Sequence, residues 1–255
     1  MGCFLICNNH KQPNYFNKFK YIMPYISIII PAYNESERLP KSLSLIIEYM
    51  DNQNFDWEII VVDDGSSDNT VKSVSGFKNT IVIEQIANQG KGAAVKRGML
   101  EANGEICVFS DADLSTPIYE LKKIIDNINV GYDIVIGSRG IKNELIKVHQ
   151  PFYREFMGKT FNKIVQLLVL KGIKDTQCGF KGFTNKAAKS IFNLQKIKGF
   201  GFDVEILFLA NRLGFKICET PVEWYNDERS KVNPITDSFK MLIEIFKVRY
   251  LHKKL

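Results

Sequence analysis

The chain has 255 residues, 45% hydrophobic and 24% charged, the balance of a folded globular protein and not of a disordered or fibrous one. Its formal net charge of +6 suits an anionic ligand or an acidic surface, but the basic residues are too dispersed for a nucleic-acid footprint and no nucleic-acid-binding module is present, so no nucleic-acid partner is expected. No run approaches the ~20 apolar residues needed to span a bilayer, so the expectation is a cytoplasmic protein, or one peripheral at the cytoplasmic face of a membrane.

Cys3, Cys7, Cys107, Cys178 and Cys218 form no CxxC pair, and His10, His149 and His252 stand far apart; zinc is not expected and the thiols read as reduced. Residues 1–24 lack a helical or strand period and are expected to be a disordered N-terminal extension, with Met23 as an alternative start directly before the first strand. Residues 25–255 are expected to form one domain.

Residues 25–30 are a β-branched run closed by Pro31, the pattern of a strand buried on both faces. Leu39, Leu43, Ile46, Ile47 and Met50 then recur at helical spacing, with Asn34 or Ser36 as the expected cap and Pro40 in the first turn. A second strand, 57–62, ends at Asp63-Asp64-Gly65-Ser66, and a helix is expected to start within 66–70, capped by Ser66 or Ser67. A third strand, 80–84, leads through Gln89-Gly90-Lys91-Gly92 to a helix at 90–102, whose Ala94 and Gly98 suit close packing on a sheet. The fourth strand, 106–110, is followed at once by Asp111-Ala112-Asp113. A helix carrying Ile118, Leu121, Ile124, Ile125 and Ile128 precedes a fifth strand, 133–137, which ends at Ser138-Arg139.

Strands alternating with helices predict an α/β fold with a mostly parallel, Rossmann-like sheet flanked by helices. In such sheets ligands bind beyond the carboxyl ends of the strands, where this chain gathers its acids and Arg139. The second half is less regular. It predicts a helix at 152–170, an irregular strand or hairpin at 175–183, a helix at 202–212, and an edge strand at 216–222 interrupted by Pro221. In the last helix, 234–250, Phe239, Leu242, Ile243, Phe246 and Tyr250 form one stripe, expected to pack on the core. Lys240, Lys247, Arg249, Lys253 and Lys254 beside it leave peripheral membrane contact open.

Asp111 and Asp113 are the sharpest chemical signal. Two carboxylates flanking a small residue can face one divalent ion, and Mg2+ or Mn2+ takes oxygen ligands together with substrate phosphates. Such an ion neutralises charge on a departing diphosphate. The Asp63–Asp64 pair reads either as turn chemistry or as an acceptor for a base N–H; Gln89-Gly90-Lys91-Gly92 at a helix start reads as a turn or a phosphate cradle. Arg139, Arg154 and Lys231 are candidate anion-binding cations against a background of solvated surface charge. Asp203 and Glu205 either serve an acceptor or answer the dipole of the helix they begin.

Several stretches together resemble the family 2 glycosyltransferases of GT-A fold: Ile30-Pro31-Ala32-Tyr33-Asn34-Glu35, Val62-Asp63-Asp64-Gly65-Ser66-Ser67-Asp68, Asn88-Gln89-Gly90-Lys91-Gly92 and Asp111-Ala112-Asp113. The likeness continues through Gly137-Ser138-Arg139, Pro151-Phe152-Tyr153-Arg154, Asp175-Thr176-Gln177-Cys178-Gly179-Phe180-Lys181 and Ser230-Lys231-Val232, and points to the dolichyl/polyprenyl-phosphate branch, nearer its glucosyl members. The resemblance implies a nucleotide-sugar half at 25–140 and an acceptor-side appendage at 141–255. It implies that Pro31, Tyr33, Glu35 and Asp64 hold the nucleoside, that Asp111 and Asp113 hold the metal, and that Arg139, Arg154, Ser230 and Lys231 bind phosphate groups. Ser115 departs from mannosyl relatives, which often carry a metal-contacting Gln there, and the transmembrane segments of many relatives have no counterpart in this sequence.

The implied partners are UDP-glucose and a lipid phosphate. A phosphate monoester is a dianion near neutral pH, its second pKa being about 6, and needs cations more than a base. A hydroxyl acceptor needs a base, for which Asp203 or Glu205 would serve. The catalytic set expected is thus Asp113, Arg139, Arg154 and Asp203, with Lys91 on the donor. A hydroxyl-directed transferase of the same fold and a non-catalytic nucleotide-sugar binder are the alternatives; a sugar-1-phosphate nucleotidyltransferase would begin with a Gly-rich loop where this chain has Pro-Ala-Tyr-Asn-Glu.

Overall fold

The computed structural model describes residues 24–255 apart from Lys171, Glu228, residues 230–235 and Lys254. The N-terminal extension expected at 1–24 thus lies, but for Pro24, outside the described residues, as do Ser230 and Lys231.

A seven-stranded sheet forms the centre, built from β1 (Ile26–Ala32), β2 (Trp57–Asp63), β3 (Thr80–Glu84), β4 (Ile106–Ser110), β5 (Ile134–Ser138), β7 (Phe180–Thr184) and β8 (Ile217–Pro221). Its order is β3-β2-β1-β4-β7-β5-β8. Neighbours run parallel except at β7, which is antiparallel to both β4 and β5. The expected strand at the start of the chain, the two acid-tipped strands and the edge strand ending at Pro221 are all present. The antiparallel insertion comes from the stretch read as an irregular strand or hairpin. A ladder of β6 (Ile146–Val148) with β9 (Trp224–Tyr225) was not foreseen.

Ile26, Ile28, Ile29 and Ile30 have no exposed surface because helices cover both faces of the sheet. On one side α1 (Leu39–Asp51) and α4 (Leu121–Asn129) enclose Ile28, Ile30, Val61 and Val108. On the other lie α3 (Lys91–Glu101), α6 (Asn185–Leu194) and α7 (Phe202–Arg212), around Ile29, Val62, Phe109 and Phe183. Gly98 lets α3 lie against β1: a Cβ there would come within 2.5 Å of Ile29. Helices α5 (Phe152–Leu168) and α8 (Thr236–Leu251) pack on each other and on the outer side of this layer.

Four local expectations are corrected. Neither Asn34 nor Ser36 caps α1, whose cap position is Arg38 without a side-chain bond. Asn34 instead stands at φ 54°, its amide oxygen accepting from the Ser67 N–H. The short helix α2 (Thr70–Val74) begins after Ser66 and Ser67, because Ser66 spends its N–H on the Asp63 carboxylate. Helix α6 was not anticipated; Thr184 caps it, its hydroxyl accepting from the Ala187 N–H. Finally, the aromatic stripe of α8 faces outward. Met241, Ile245 and Val248 are buried, whereas Phe239, Ile243, Phe246 and Tyr250 are exposed on the opposite side. The helix is apolar on two faces, and spacing alone does not say which one meets the core.

Candidate active site

The carboxyl ends of β1, β2, β4 and β5 meet at one edge of the sheet, where parallel strands leave backbone groups and side chains open to a ligand. The turn after β2 is built around its two acids. Asp63 accepts from the N–H and hydroxyl of Ser66. Asp64 accepts from the N–H groups of Gln89 and Gly90, both at 2.8 Å, which fastens the loop before α3 to the end of β2. Burial raises the Asp64 pKa, and those two N–H donors oppose the rise. Gly65 (φ 71°) is required here, since a Cβ would fall 2.6 Å from the backbone of Ala87.

Beyond β1, Tyr33 is 39% exposed, while Glu35 is buried and joined to Arg38 by two short charge-assisted bonds. Arg38 in turn reaches Asp227 at 3.4 Å. Sequence reading passed over Arg38, although Glu35 and Arg38 at i,i+3 were a visible pair.

At the end of β4, Asp111 and Asp113 are half-buried. Asp113 accepts from the Ser115 N–H at 2.9 Å across a turn that holds Leu114 at φ 49°. Burial raises its pKa and the like charge of Asp111 raises it further. Lys91, the first residue of α3, places its ammonium 2.5 Å from Asp111. Burial works against that charge, but Asp111, Asp203 and Asp113 hold it above the usual lysine range.

A second layer supports the first. Arg139, at the end of β5, is bound bidentately to buried Asp175 at 2.7 and 2.9 Å, and its guanidinium lies 5.4 Å from the Trp224 ring centroid. Burial alone would raise the Asp175 pKa, yet the guanidinium keeps it below the ordinary carboxylate value. Fully buried Lys181 donates to the Cys178 carbonyl at 2.6 Å and is ion-paired with Asp203. Burial pushes the Asp203 pKa upward against the pull of Lys181 and Lys91. Sequence reading quoted Asp175 and Lys181 within a motif without giving either a place in the site.

The expected residues therefore divide. Lys91, Asp111 and Asp113 are brought together, with Asp203 acting on Lys91 from below, while Asp64 holds the loop directly before Lys91. Arg139 reaches the sheet end, but most of its guanidinium is committed to Asp175. Arg154 lies in the first turn of α5, with its Nε enclosed and without a hydrogen-bond partner among the described residues. Two candidate bases are corrected. Asp203 is held by a buried ammonium, and Glu205 is fully enclosed, accepting from the N–H groups of Lys196 and Ile197 and from His252. Both carboxylates are buried, with no face open to an acceptor hydroxyl.

The acid pair fits a Mg2+ or Mn2+ ion. Its donors are hard carboxylate oxygens, and Gly179 packs so tightly on Asp111 that the chain offers bare backbone where any side chain would intrude. Two carboxylates suffice when substrate phosphates and water complete the shell, and no cluster of three or more His, Cys, Asp or Glu occurs among the described residues.

Residues 27–192 match the profile described as glycosyl transferase family 2. The chain belongs to that family. Among this glycosyltransferase's relatives, a dolichyl-phosphate beta-glucosyltransferase of Trichomonas vaginalis is 38% identical over 95% of this chain and 80% of its own length. One from Dictyostelium discoideum is 38% identical over 89% and 74%, and the human protein of the same name is 32% identical over 89% and 76%. Among solved structures, glucosyl-3-phosphoglycerate synthase from Mycobacterium tuberculosis in complex with Mn2+, UDP-glucose and phosphoglyceric acid superposes with a TM-score of 0.64. It covers 88% of this chain and 78% of its own at 18% identity, a likeness of fold, which is GT-A.

Proposed function

We propose that this family 2 enzyme moves glucose from UDP-glucose to dolichyl or polyprenyl phosphate with inversion at the anomeric carbon. The observation that carries the reading is the half-buried Asp111–Asp113 pair closing β4, set beside Lys91 at the start of α3. The three dolichyl-phosphate beta-glucosyltransferases named above, alike over most of the chain, supply the acceptor and the sugar.

In this reading Pro31, Tyr33, Glu35 and Asp64 line the nucleoside side, and Asp111 and Asp113 hold Mg2+ or Mn2+ against the donor diphosphate. The ion, when bound, offsets the negative charge that grows on the leaving UDP. Lys91 adds a second cation to the same diphosphate. Arg154, whose Nε has no hydrogen-bond partner among the described residues, draws in the acceptor phosphate together with Arg139, Ser230 and Lys231. An oxygen of that phosphate forms a bond to C1 of the α-linked glucose, and the C1–O bond to UDP breaks on the opposite side. The product is a β-glucosyl phosphate. No proton need be removed from a phosphate dianion. Asp203 positions Lys91 and Lys181 and does not act as a base. The halves 25–140 and 141–255 then serve donor and acceptor respectively.

The outward faces of α5 and α8 belong to the same reading. Phe152 is 83% exposed and stacks on Phe156, while Phe246 is 62% and Tyr250 72% exposed. Lys159 and Lys163 flank the first pair, and Lys240, Lys247, Arg249 and Lys253 the second. Aromatic side chains bordered by cations suit the headgroup layer of a membrane. No described helix is long and apolar enough to cross one. These two helices rest the enzyme on the surface from which a lipid phosphate is taken.

A transfer assay tests the reading. Purified protein with Mn2+ and radiolabelled UDP-glucose is expected to label dolichyl phosphate and leave dolichol unlabelled. Transfer to dolichol with none to the phosphate would favour the hydroxyl-directed alternative.

A further inference from the structure

The only described group within ion-pair distance of Asp111 is Lys91, at 2.5 Å. The other cations that act on these acids are committed elsewhere. Asp111, Asp113 and Asp203 all act on the Lys91 ammonium; Lys181 is paired with Asp203 and the Cys178 carbonyl, Arg139, which acts on Asp111, is bound to Asp175, and Arg38, which acts on Asp113, is bound to Glu35. The Lys91 side chain is 20% exposed, so little water screens these charges.

A divalent ion bound by Asp111 would sit about 2.1 Å from a carboxylate oxygen. An ammonium 2.5 Å from the same carboxylate would leave two cationic centres only about 4 Å apart, where like charges repel strongly in a site with little water. The two cannot share Asp111 at full strength. The backbone on either side of Lys91 is closely packed, Gly90 (φ 103°) and Gly92 lying against Lys198, Ile197 and Phe202 with no room for a Cβ. The four-carbon stem of Lys91 can carry its ammonium off Asp111 by rotation about its own bonds.

We propose that Lys91 is a placeholder for the metal. Its ammonium offsets the charge of Asp111 when no donor is bound, and leaves Asp111 for the donor diphosphate when metal and nucleotide arrive. The proposal rests on the assignment of the metal to Asp111 and Asp113 made above. It adds a specificity of loading: Lys91 opposes binding of the bare ion and favours binding of the ion with a nucleoside diphosphate, so the two enter together. Asp111 stays paired between turnovers and does not collect stray cations.

The test is a Mn2+ titration followed by electron paramagnetic resonance, with and without UDP, on the wild type, Lys91→Met, Lys91→Arg and Asp111→Asn. Without UDP, Lys91→Met is expected to bind Mn2+ about tenfold more tightly than the wild type. Lys91→Arg keeps the charge and is expected to bind Mn2+ as weakly as the wild type, which separates loss of charge from loss of fold. UDP is expected to tighten Mn2+ binding strongly in the wild type and much less in Lys91→Met. If Lys91→Met binds bare Mn2+ no more tightly, while Asp111→Asn still loses the Mn2+–UDP complex, the placeholder is overturned and the metal site stands. If Asp111→Asn binds Mn2+ with UDP as the wild type does, both assignments fall.

Discussion

Gly179 packs against Asp111 so closely that a Cβ on Gly179 would lie 1.9 Å from Asp111 Oδ2. The contact joins the loop before β7 to the end of β4, and the Asp111 N–H also donates to the Gly179 carbonyl at 3.2 Å. Gly179→Ala is therefore expected to push the Asp111 carboxylate out of position. A displacement of about 1 Å at a reacting centre costs on the order of 100-fold in rate. Steady-state kinetics with UDP-glucose should show that loss, and wild-type turnover in Gly179→Ala would mean that the Asp111 carboxylate is not needed where it lies.

Asp113→Ala is expected to abolish transfer while leaving the melting temperature at or above the wild-type value. Burial and the charge of Asp111 hold the Asp113 carboxyl above its ordinary pKa, so near neutral pH the fold pays for its ionisation. Removing the group relieves that cost. Paired activity and differential scanning fluorimetry measurements decide the matter; a marked drop in melting temperature would make Asp113 a structural residue.

The Arg139–Asp175 pair sets an acid limit. Asp175 has a folded pKa below its unfolded one, so its contribution to stability is complete above the unfolded value, about 3.9, and is lost as pH falls through the folded value. Urea unfolding at steps from about pH 6 to pH 2 should show the wild type losing stability relative to Asp175→Asn. Breaking a buried pair costs about 3–5 kcal/mol, so the variant should start lower and converge on the wild type in acid. A gap that does not change with pH would mean that Asp175 is uncharged in the fold.

Phe246→Glu and Tyr250→Glu together are expected to reduce co-sedimentation with vesicles containing anionic lipid, while transfer to a short, water-soluble prenyl phosphate stays near the wild-type rate. Both side chains are exposed and make no core contact that the change would disrupt. Unaltered vesicle binding would remove α8 from the membrane surface.

Much of this molecule was legible before its structure. The strands at 26–32, 57–63, 80–84, 106–110 and 134–138 are short β-branched runs, each stopped by acids, Pro, or Ser-Arg, and a parallel sheet dictates which of their ends carry the site. Less legible was 175–184, where Gln177, Cys178 and Gly179 obscure the period and β7 runs against its neighbours. Helix α8 misled because Met241, Ile245 and Val248 form an apolar face as convincing as the aromatic one. The pairings inside the site lay beyond reach for another reason. Lys91 with Asp111, Arg139 with Asp175 and Lys181 with Asp203 each join residues about 20 or more positions apart, and no helical or strand period connects such distances.

The account stands or falls on a phosphate oxygen attacking C1 opposite a metal-held UDP. Proton and phosphorus NMR of the glucosylated lipid formed from UDP-glucose reads that step directly. A β-glucosyl phosphate is predicted, with one anomeric proton coupled to phosphorus; an α-linked product, or glucose attached anywhere but to phosphate, would contradict it.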